Sequence, residues 1–161
     1  MPLPSLVASM PPLIGKFLVA ITVRLAAIAD FDFVAQDGYL PSAVVRRKID
    51  AQEVLIAHAN QEPLGYARFE YIWSRVPYLT LVWVVPDHRR GGVGRALLSF
   101  LESYLQRLGY AALWSSSTAT ETEPQEWHLR MGFTPAGRLE GLNANGLTEV
   151  FFRKPLTGRH Q

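Results

Sequence analysis

The sequence predicts a mixed α/β domain: a mostly antiparallel central sheet with one parallel strand–helix–strand crossover, flanked by helices. Three observations carry this. Tyr78 to Val85 is a continuous run of β-branched and aromatic residues, as in a central strand. Val93, Leu97, Leu101, Tyr104 and Leu108 recur at helical spacing directly after it, with Phe100 and Leu105 widening the apolar stripe. Ala111 to Ser116 then reads as a second strand, and such a crossover makes the two strands parallel neighbours.

The remaining elements follow from local chemistry. Residues 20 to 25 alternate like a strand, and Ala26 to Gln36 read as a helix stopped by Gly38. Pro41 opens a second short helix with Val44, Val45 and Ile49 inward and Arg46, Arg47 and Lys48 exposed. Glu53 to Ala59 and Leu64 to Ser74 form a hairpin across the turn Asn60-Gln61-Glu62-Pro63. Pro86 ends the central strand. The long helix presents Arg95, Ser99, Glu102, Gln106 and Arg107 to water and stops at Gly109. Thr122-Glu123-Pro124-Gln125 has capping-box spacing and opens a short helix that ends at Met131 before Gly132. A strand ending near Leu142, a turn at residues 143 to 146 and a last strand from Leu147 to Arg153 complete the chain. Runs of hairpins around a single crossover exclude a doubly wound sheet.

Composition narrows the function. The chain has 161 residues, enough for one domain, and 48% of them are apolar, enough to fill a core. A net charge of +2 is too small for a nucleic-acid-coating protein, so no nucleic-acid partner is expected, yet it permits a local anion site. Without Cys there is no disulfide framework, thiolate metal site or Cys nucleophile. His58, His88, His128 and His160 show no ligand spacing, so no metal is expected. Residues 1 to 19 are apolar but broken by Pro2, Pro4, Pro11 and Pro12, and lack a charged start and a cleavage site. They read as a loosely ordered extension, with a membrane role and a later true start as alternatives. Residues 20 to 156 form the domain and 157 to 161 a tail. A cytoplasmic location is expected, and a homodimer is left open.

The segment that carries chemistry is Val84-Val85-Pro86-Asp87-His88-Arg89-Arg90-Gly91-Gly92-Val93-Gly94-Arg95-Ala96. A central strand ends, a Gly-rich turn follows and an amphipathic helix starts. That geometry aims several backbone N–H groups and the helix dipole at one point, where Arg89, Arg90 and Arg95 add positive charge. Glycines let the backbone approach a bulky anion. The physical reading is a phosphate or pyrophosphate site. Arg95-Ala96 stands where a nucleotide triphosphatase needs Lys and Ser or Thr. Leu97 stands where a dinucleotide fingerprint needs its third Gly or Ala, and Ser115-Ser116-Ser117 supplies no ribose-binding acid.

This segment resembles the signature of the GNAT superfamily of N-acetyltransferases, with Val84, Pro86, Arg89, Gly92 and Gly94 in register. The short helix that ends Trp127-His128-Leu129-Arg130-Met131-Gly132-Phe133 resembles a second family feature. Together the likeness spans about residues 21 to 154. It implies that acetyl-CoA, a co-substrate, lies in a V-shaped cleft where the strand at 78 to 85 splays from the strand at 111 to 116. Backbone groups from Arg90 through Gly91, Gly92, Val93, Gly94 and Arg95 to Ala96 would take the pyrophosphate, and the backbone of Val84 and Val85 would pair with the pantetheine. An amine acceptor, small molecule or protein, would attack the thioester directly in a ternary complex.

Two departures bear on catalysis. Most relatives have Tyr, the proposed general acid, where this chain has His128, whose N–H would donate to the leaving thiolate or, as imidazolium, protonate it and give an alkaline limb in the pH profile. Relatives often carry Glu on the central strand, but Tyr78 to Val85 holds no carboxylate. Glu70 and Glu149 are the candidate bases, with Glu149 also a candidate anchor for a cationic acceptor. Tyr39, Tyr71, Trp73 and Trp114 are candidates to line the acceptor pocket, and Glu140 and Asn143 to border it. The missing base leaves a catalytically silent acyl-CoA-binding or sensing domain as the alternative.

Overall fold

The computed structural model describes residues 20–156; the expected N-terminal extension and tail lie outside the described residues. Seven strands form one sheet in the order β1 (Thr22–Leu25), β2 (Val54–Ala59), β3 (Glu62–Ile72), β4 (Val76–Val84), β5 (Ala112–Thr118), β7 (Glu149–Pro155), β6 (Thr134–Leu139). All neighbours are antiparallel except β4 and β5. The predicted fold class is thus the observed one.

The helices differ from expectation in detail. In place of one helix from Ala26 to Gln36, a single 3₁₀ turn at Ile28–Asp30 runs into the one-turn α1 (Phe31–Val34). Asp30 accepts from the Ala27 N–H at 2.7 Å and pairs with Arg24 at 2.6 Å, which pins the chain's exit from β1. α2 (Ser42–Asp50) follows Pro41, but Lys48 is not exposed: its ammonium pairs with Glu53 at 3.2 Å and Glu70 at 3.0 Å. In α3 (Val93–Arg107) Glu102 is paired with Lys154 and Gln106 donates to the Leu156 carbonyl, so neither simply faces water. α4 (Thr122–Arg130) forms without the predicted capping box. Glu121 is its N-cap, and Gln125 Nε2 reaches back instead to the Ala119 and Glu121 carbonyls at 2.8 and 3.2 Å.

Two cores sit on opposite faces of the sheet. α3 buries Val93, Leu97, Leu98, Leu101 and Leu105 against Leu55, Ala67, Phe69, Leu79, Leu113 and Phe152. At roughly 1.5–3 kcal/mol per fully buried aliphatic side chain, this stripe fixes the crossover helix on the sheet. On the other face, Val34, Val45 and Ile49 pack on Val54, Ile56 and Tyr66. Gly65 makes the first packing possible at the helix start: a Cβ there would lie 2.6 Å from the Trp83 carbonyl oxygen and 3.1 Å from Val93 Cγ1.

Two irregularities in β4 shape the site. Arg68 pairs with Leu81 and Phe69 with Leu79, so Thr80 is an extra, bulged residue, its hydroxyl donating to the Arg68 carbonyl at 2.9 Å. The bulge shifts the alternation, sending Leu81 and Trp83 to the α1–α2 face while Val82 and Val84 join Leu79 on the α3 face. In addition, β4 pairs with β5 at only Tyr78↔Trp114 and Leu79↔Ser115. Beyond Leu79 and Ser115 the two parallel strands part, opening a cleft in mid-sheet.

Candidate active site

The cleft begins at the α3 N-terminus. Val85 closes β4, Pro86–His88 makes a 3₁₀ turn, and Arg90 and Gly92 both adopt positive φ, 63° and 88°. Gly92 is the N-cap of α3, and no side chain caps the helix. The first α3 bond runs from the Ala96 N–H to the Gly92 carbonyl, 3.0 Å. The N–H groups of Val93, Gly94 and Arg95 therefore have no partner within the helix. A Cβ on Gly92 would meet nothing within 4 Å. Positive φ, open space and uncapped donors fit a bulky anion at this point, beside exposed Arg90 and Arg95. Arg89 is also exposed, with Nε donating to the Val84 carbonyl at 3.2 Å.

The cleft walls have their own signature. Val85 is not available to a ligand: its N–H donates to Leu64 and its carbonyl accepts from His88, both at 2.9 Å. Since successive strand residues point their backbone groups to opposite sides, Val84 and Val82 are the residues that face the parting of the strands. Across from them, Ser117 follows Ser115 on the same face of β5; its Oγ is buried without a partner. Trp127, from α4, lies beside Gly94: a Cβ there would sit 3.4 Å from the indole Nε1 and 3.7 Å from Val82 Cγ1.

At the apex of the cleft stand Ser115 and His128, 3% and 5% exposed. Ser115 Oγ lies 2.7 Å from His128 Nε2 and 3.0 Å from the Leu79 carbonyl oxygen. His128 Nδ1 lies 2.7 Å from the Pro124 carbonyl oxygen, one helical turn back. The imidazole stacks on Phe152, centroids 4.5 Å apart and planes within 3°, with Phe133 and Trp127 edge-on. Burial pushes its pKa below the ordinary histidine value, against the opposing pull of the Pro124 carbonyl and the Glu149 carboxylate. Both nitrogens are thus engaged within the protein, and burial favours the neutral imidazole. This departs from an imidazolium aimed straight at a thiolate.

The opposite face of the sheet carries a second polar chain. Cross-strand pairing puts Glu70, Tyr78 and Trp114 on one face, continued by Ser116, Thr118, Phe151 and Glu149. Tyr78 Oη hydrogen-bonds Ser116 Oγ, which donates to Glu149 Oε1 at 2.6 Å. Asn143 Nδ2 donates to Glu149 Oε2 at 2.9 Å, and Thr118 Oγ1 to the same oxygen at 3.4 Å. Burial raises the Tyr78 pKa, and the Glu149 and Glu70 carboxylates add to the rise, against the Ser116 hydrogen bond. Beside this chain an open groove is lined by Trp114, Phe151, Leu139 and Arg138.

The other candidates fall in different places. Glu70 is on the Tyr78 face but committed to Lys48. Tyr71 points into the α3-side core against Phe69 and Tyr110, away from any acceptor. Trp73 is 79% exposed in the β3–β4 turn, and Tyr39 is exposed in the α1–α2 loop. Glu140 is exposed just past β6. Sequence reasoning missed Tyr78, Ser115, Ser116 and Ser117. Four consecutive hydroxylic residues, Ser115 to Thr118, in a strand at the centre of a sheet were the available signal. Among the described residues no three His, Asp or Glu side chains gather as a metal site, and no helix is long and apolar enough to cross a membrane.

Comparison with known proteins agrees with this fold. Residues 23–133 match the sequence model of the acetyltransferase (GNAT) family, and the chain belongs to that family. Among solved structures, Ard1 from Thermoplasma volcanium superposes with a TM-score of 0.76 at 17% identity, over 87% of this chain and 100% of that one. The ribosomal-protein-S18-alanine N-acetyltransferase from Escherichia coli gives 0.70 at 19% identity, over 88% and 99%. yncA from Salmonella typhimurium, solved with acetyl-CoA, gives 0.69 at 21%, over 88% and 97%. These identities establish a shared fold. No curated protein matches the sequence at a significant level.

Proposed function

We propose that this acetyltransferase moves an acetyl group from acetyl-CoA to a primary amine by direct attack in a ternary complex. The observation that carries the reading is the uncapped α3 N-terminus standing at the mouth of the β4–β5 parting. The N–H groups of Gly92 to Arg95 would hold the pyrophosphate. Val82 and Val84 would pair with the pantetheine along β4, and the unpartnered Ser117 hydroxyl would meet it from β5. The thioester would then lie near the bulge at Thr80, where a backbone N–H released from the ladder can hold the oxyanion.

The acceptor would approach from the opposite face. There Glu149 is a carboxylate held by Asn143, Ser116 and Thr118, and it can attract an ammonium group. Tyr78–Ser116–Glu149 also forms a directed chain of O–H groups ending on that carboxylate, along which a proton from the ammonium can leave. This supplies a base route that the carboxylate-free stretch of β4 lacks. Aromatic Trp114 and Phe151 beside it favour an amine with an apolar flank.

The test is release of CoA thiol from acetyl-CoA with a panel of small amines and peptide N-termini. Thiol release that requires an amine, with a mass gain of one acetyl group on that amine, supports the reading. Tight acetyl-CoA binding with no acceptor-dependent release points instead to a silent acyl-CoA-binding domain.

A further inference from the structure

We infer that Ser115 and His128 form a proton shuttle that carries the proton from the attacking amine to the departing sulfur, with Ser115 the catalytic residue and His128 the positioning and storage group behind it. The inference rests on the acetyl-transfer reading and adds a residue and a resting protonation state to it.

The hydrogen-bond roles can be assigned one at a time. The Pro124 carbonyl can only accept, so His128 Nδ1 carries a hydrogen in every protonation state. In the neutral ring Nε2 is then an acceptor, and Ser115 donates its single proton to it across 2.7 Å. When Nε2 gains a proton it becomes a donor to Ser115 Oγ, and the Ser115 hydrogen turns to the Leu79 carbonyl at 3.0 Å. In the charged state all three contacts carry a hydrogen; in the neutral state the Leu79 carbonyl gives up the Ser115 hydrogen to Nε2, and neither state requires the ring to move. The ring itself is clamped by Phe152, Phe133 and Trp127. The hydroxyl is also where it is needed, because Leu79↔Ser115 is the last pair before the strands part. At 3% exposure it is shielded from bulk water.

The step balances as follows. The amine nitrogen bonds to the thioester carbon and becomes cationic. Ser115 Oγ takes one N–H proton while its own passes to His128 Nε2. The C–S bond breaks, the sulfur takes the Ser115 proton, and His128 returns its proton to Ser115. One proton has moved from nitrogen to sulfur and both side chains are restored. The resting shuttle therefore requires neutral His128, and rate is lost on the acid side as the ring becomes charged. The charged groups on the elements packed around the ring are Glu149, Arg153 and Lys154 of β7, Arg95, Glu102 and Arg107 of α3, and Glu123, Glu126 and Arg130 of α4. Lys154 is paired with Glu102, and Arg130 lies 3.9 Å from Glu126. Glu149 acts on the imidazole from across β5.

The experiment is the pH dependence of kcat for wild type, Ser115→Ala, Ser115→Thr and Ser115→Ala/His128→Asn with one good amine, with acetyl-CoA affinity measured in parallel. Ser115→Ala should lower kcat by about 10²-fold, keep acetyl-CoA Kd within about twofold, and lose the acid limb. Ser115→Thr, which keeps the hydroxyl, should recover both rate and limb. The double variant should be no slower than Ser115→Ala, since the two residues act as a unit. In wild type, ¹⁵N shifts of His128 at neutral pH should show the Nδ1–H tautomer, a readout that needs no variant to fold. Wild-type kcat with an unmoved acid limb in Ser115→Ala, or an Nε2–H tautomer, overturns the shuttle alone. No amine-dependent turnover in wild type overturns acetyl transfer and the shuttle with it.

Discussion

Ser115 and Ser116 are adjacent on β5, and their hydroxyls reach His128 and Glu149 on opposite faces of the sheet. Strand alternation alone produces this separation. One face holds a buried imidazole at the apex of the cleft; the other holds a carboxylate beside an open groove. A single β-strand thus stands between the Ser115–His128 pair and the Ser116–Glu149 pair.

Glu149→Gln tests the acceptor side. The amide keeps the shape and can still hydrogen-bond Ser116 and Asn143, but it carries no charge and takes no proton. We expect kcat/KM for a cationic amine to fall by roughly 10²-fold, with acetyl-CoA affinity unchanged by calorimetry. Tyr78→Phe should fall less, because a water molecule can replace one hydroxyl in the chain. Equal loss of acetyl-CoA binding in Glu149→Gln would place the residue in general folding instead.

Gly92→Asp tests the anion site. The new Cβ meets no protein atom, so steric damage is absent, although the left-handed φ of 88° costs the fold about 1 kcal/mol. The added carboxylate should weaken acetyl-CoA by about tenfold or more, equivalent to about 1.4 kcal/mol. Gly92→Ala, measured by the same calorimetry, separates backbone strain from charge. Arg95→Ala should cost less than Gly92→Asp, since the backbone donors remain. Unchanged affinity in Gly92→Asp would remove the pyrophosphate from this turn.

Ser117→Ala should separate stability from binding. Its hydroxyl is buried and unbonded in the free protein, so removing it relieves a desolvation penalty on the order of 1 kcal/mol. Urea unfolding should therefore show a more stable variant. If the hydroxyl meets the pantetheine, the same variant should bind acetyl-CoA several-fold more weakly. Greater stability with undiminished binding would make Ser117 a mere packing defect.

The Asp37–Arg68 pair gives a pH prediction. Arg68 donates to both Asp37 oxygens at 2.7 and 2.8 Å, both side chains are 2% exposed, and Tyr66 adds a hydrogen bond. Burial by itself would raise the Asp37 pKa, but the bonds from Arg68, Tyr66 and the Tyr39 N–H outweigh it and bring it to about 2. A folded pKa below the unfolded value of 3.8 means stability that is complete above about pH 4 and lost as pH falls through about 2. The amount is roughly 2–3 kcal/mol. Asp37→Asn should lose roughly 3–5 kcal/mol at neutral pH by stranding Arg68, and should show a flatter stability profile between pH 4 and 2 in urea titrations. This pair ties the α1–α2 loop to β3, so its loss should leave acetyl-CoA binding the least affected.

The sequence by itself determined the sheet class, the crossover and the Gly-rich turn that opens α3, because each is a local pattern. Tyr78 to Val85, the stripe from Val93 to Leu108, and Gly91-Gly92-Val93-Gly94 can be read without knowing what lies across the sheet. It also offered His128 through the family register, and Glu70 and Glu149 as candidate carboxylates. Tertiary structure decided what those residues can do. The bulge at Thr80 and the parting after Leu79 and Ser115 depend on register between strands distant in sequence, which no local period encodes. Val85 lost its expected role because Leu64 and His88 take its backbone groups, and Glu70 was claimed by Lys48 from α2. His128 became a buried ring because Phe152 of β7 and Ser115 of β5 close around this side chain of α4. Partners of a polar side chain are a property of packing, and packing brought Ser115, His128, Tyr78 and Glu149 into two chains of hydrogen bonds.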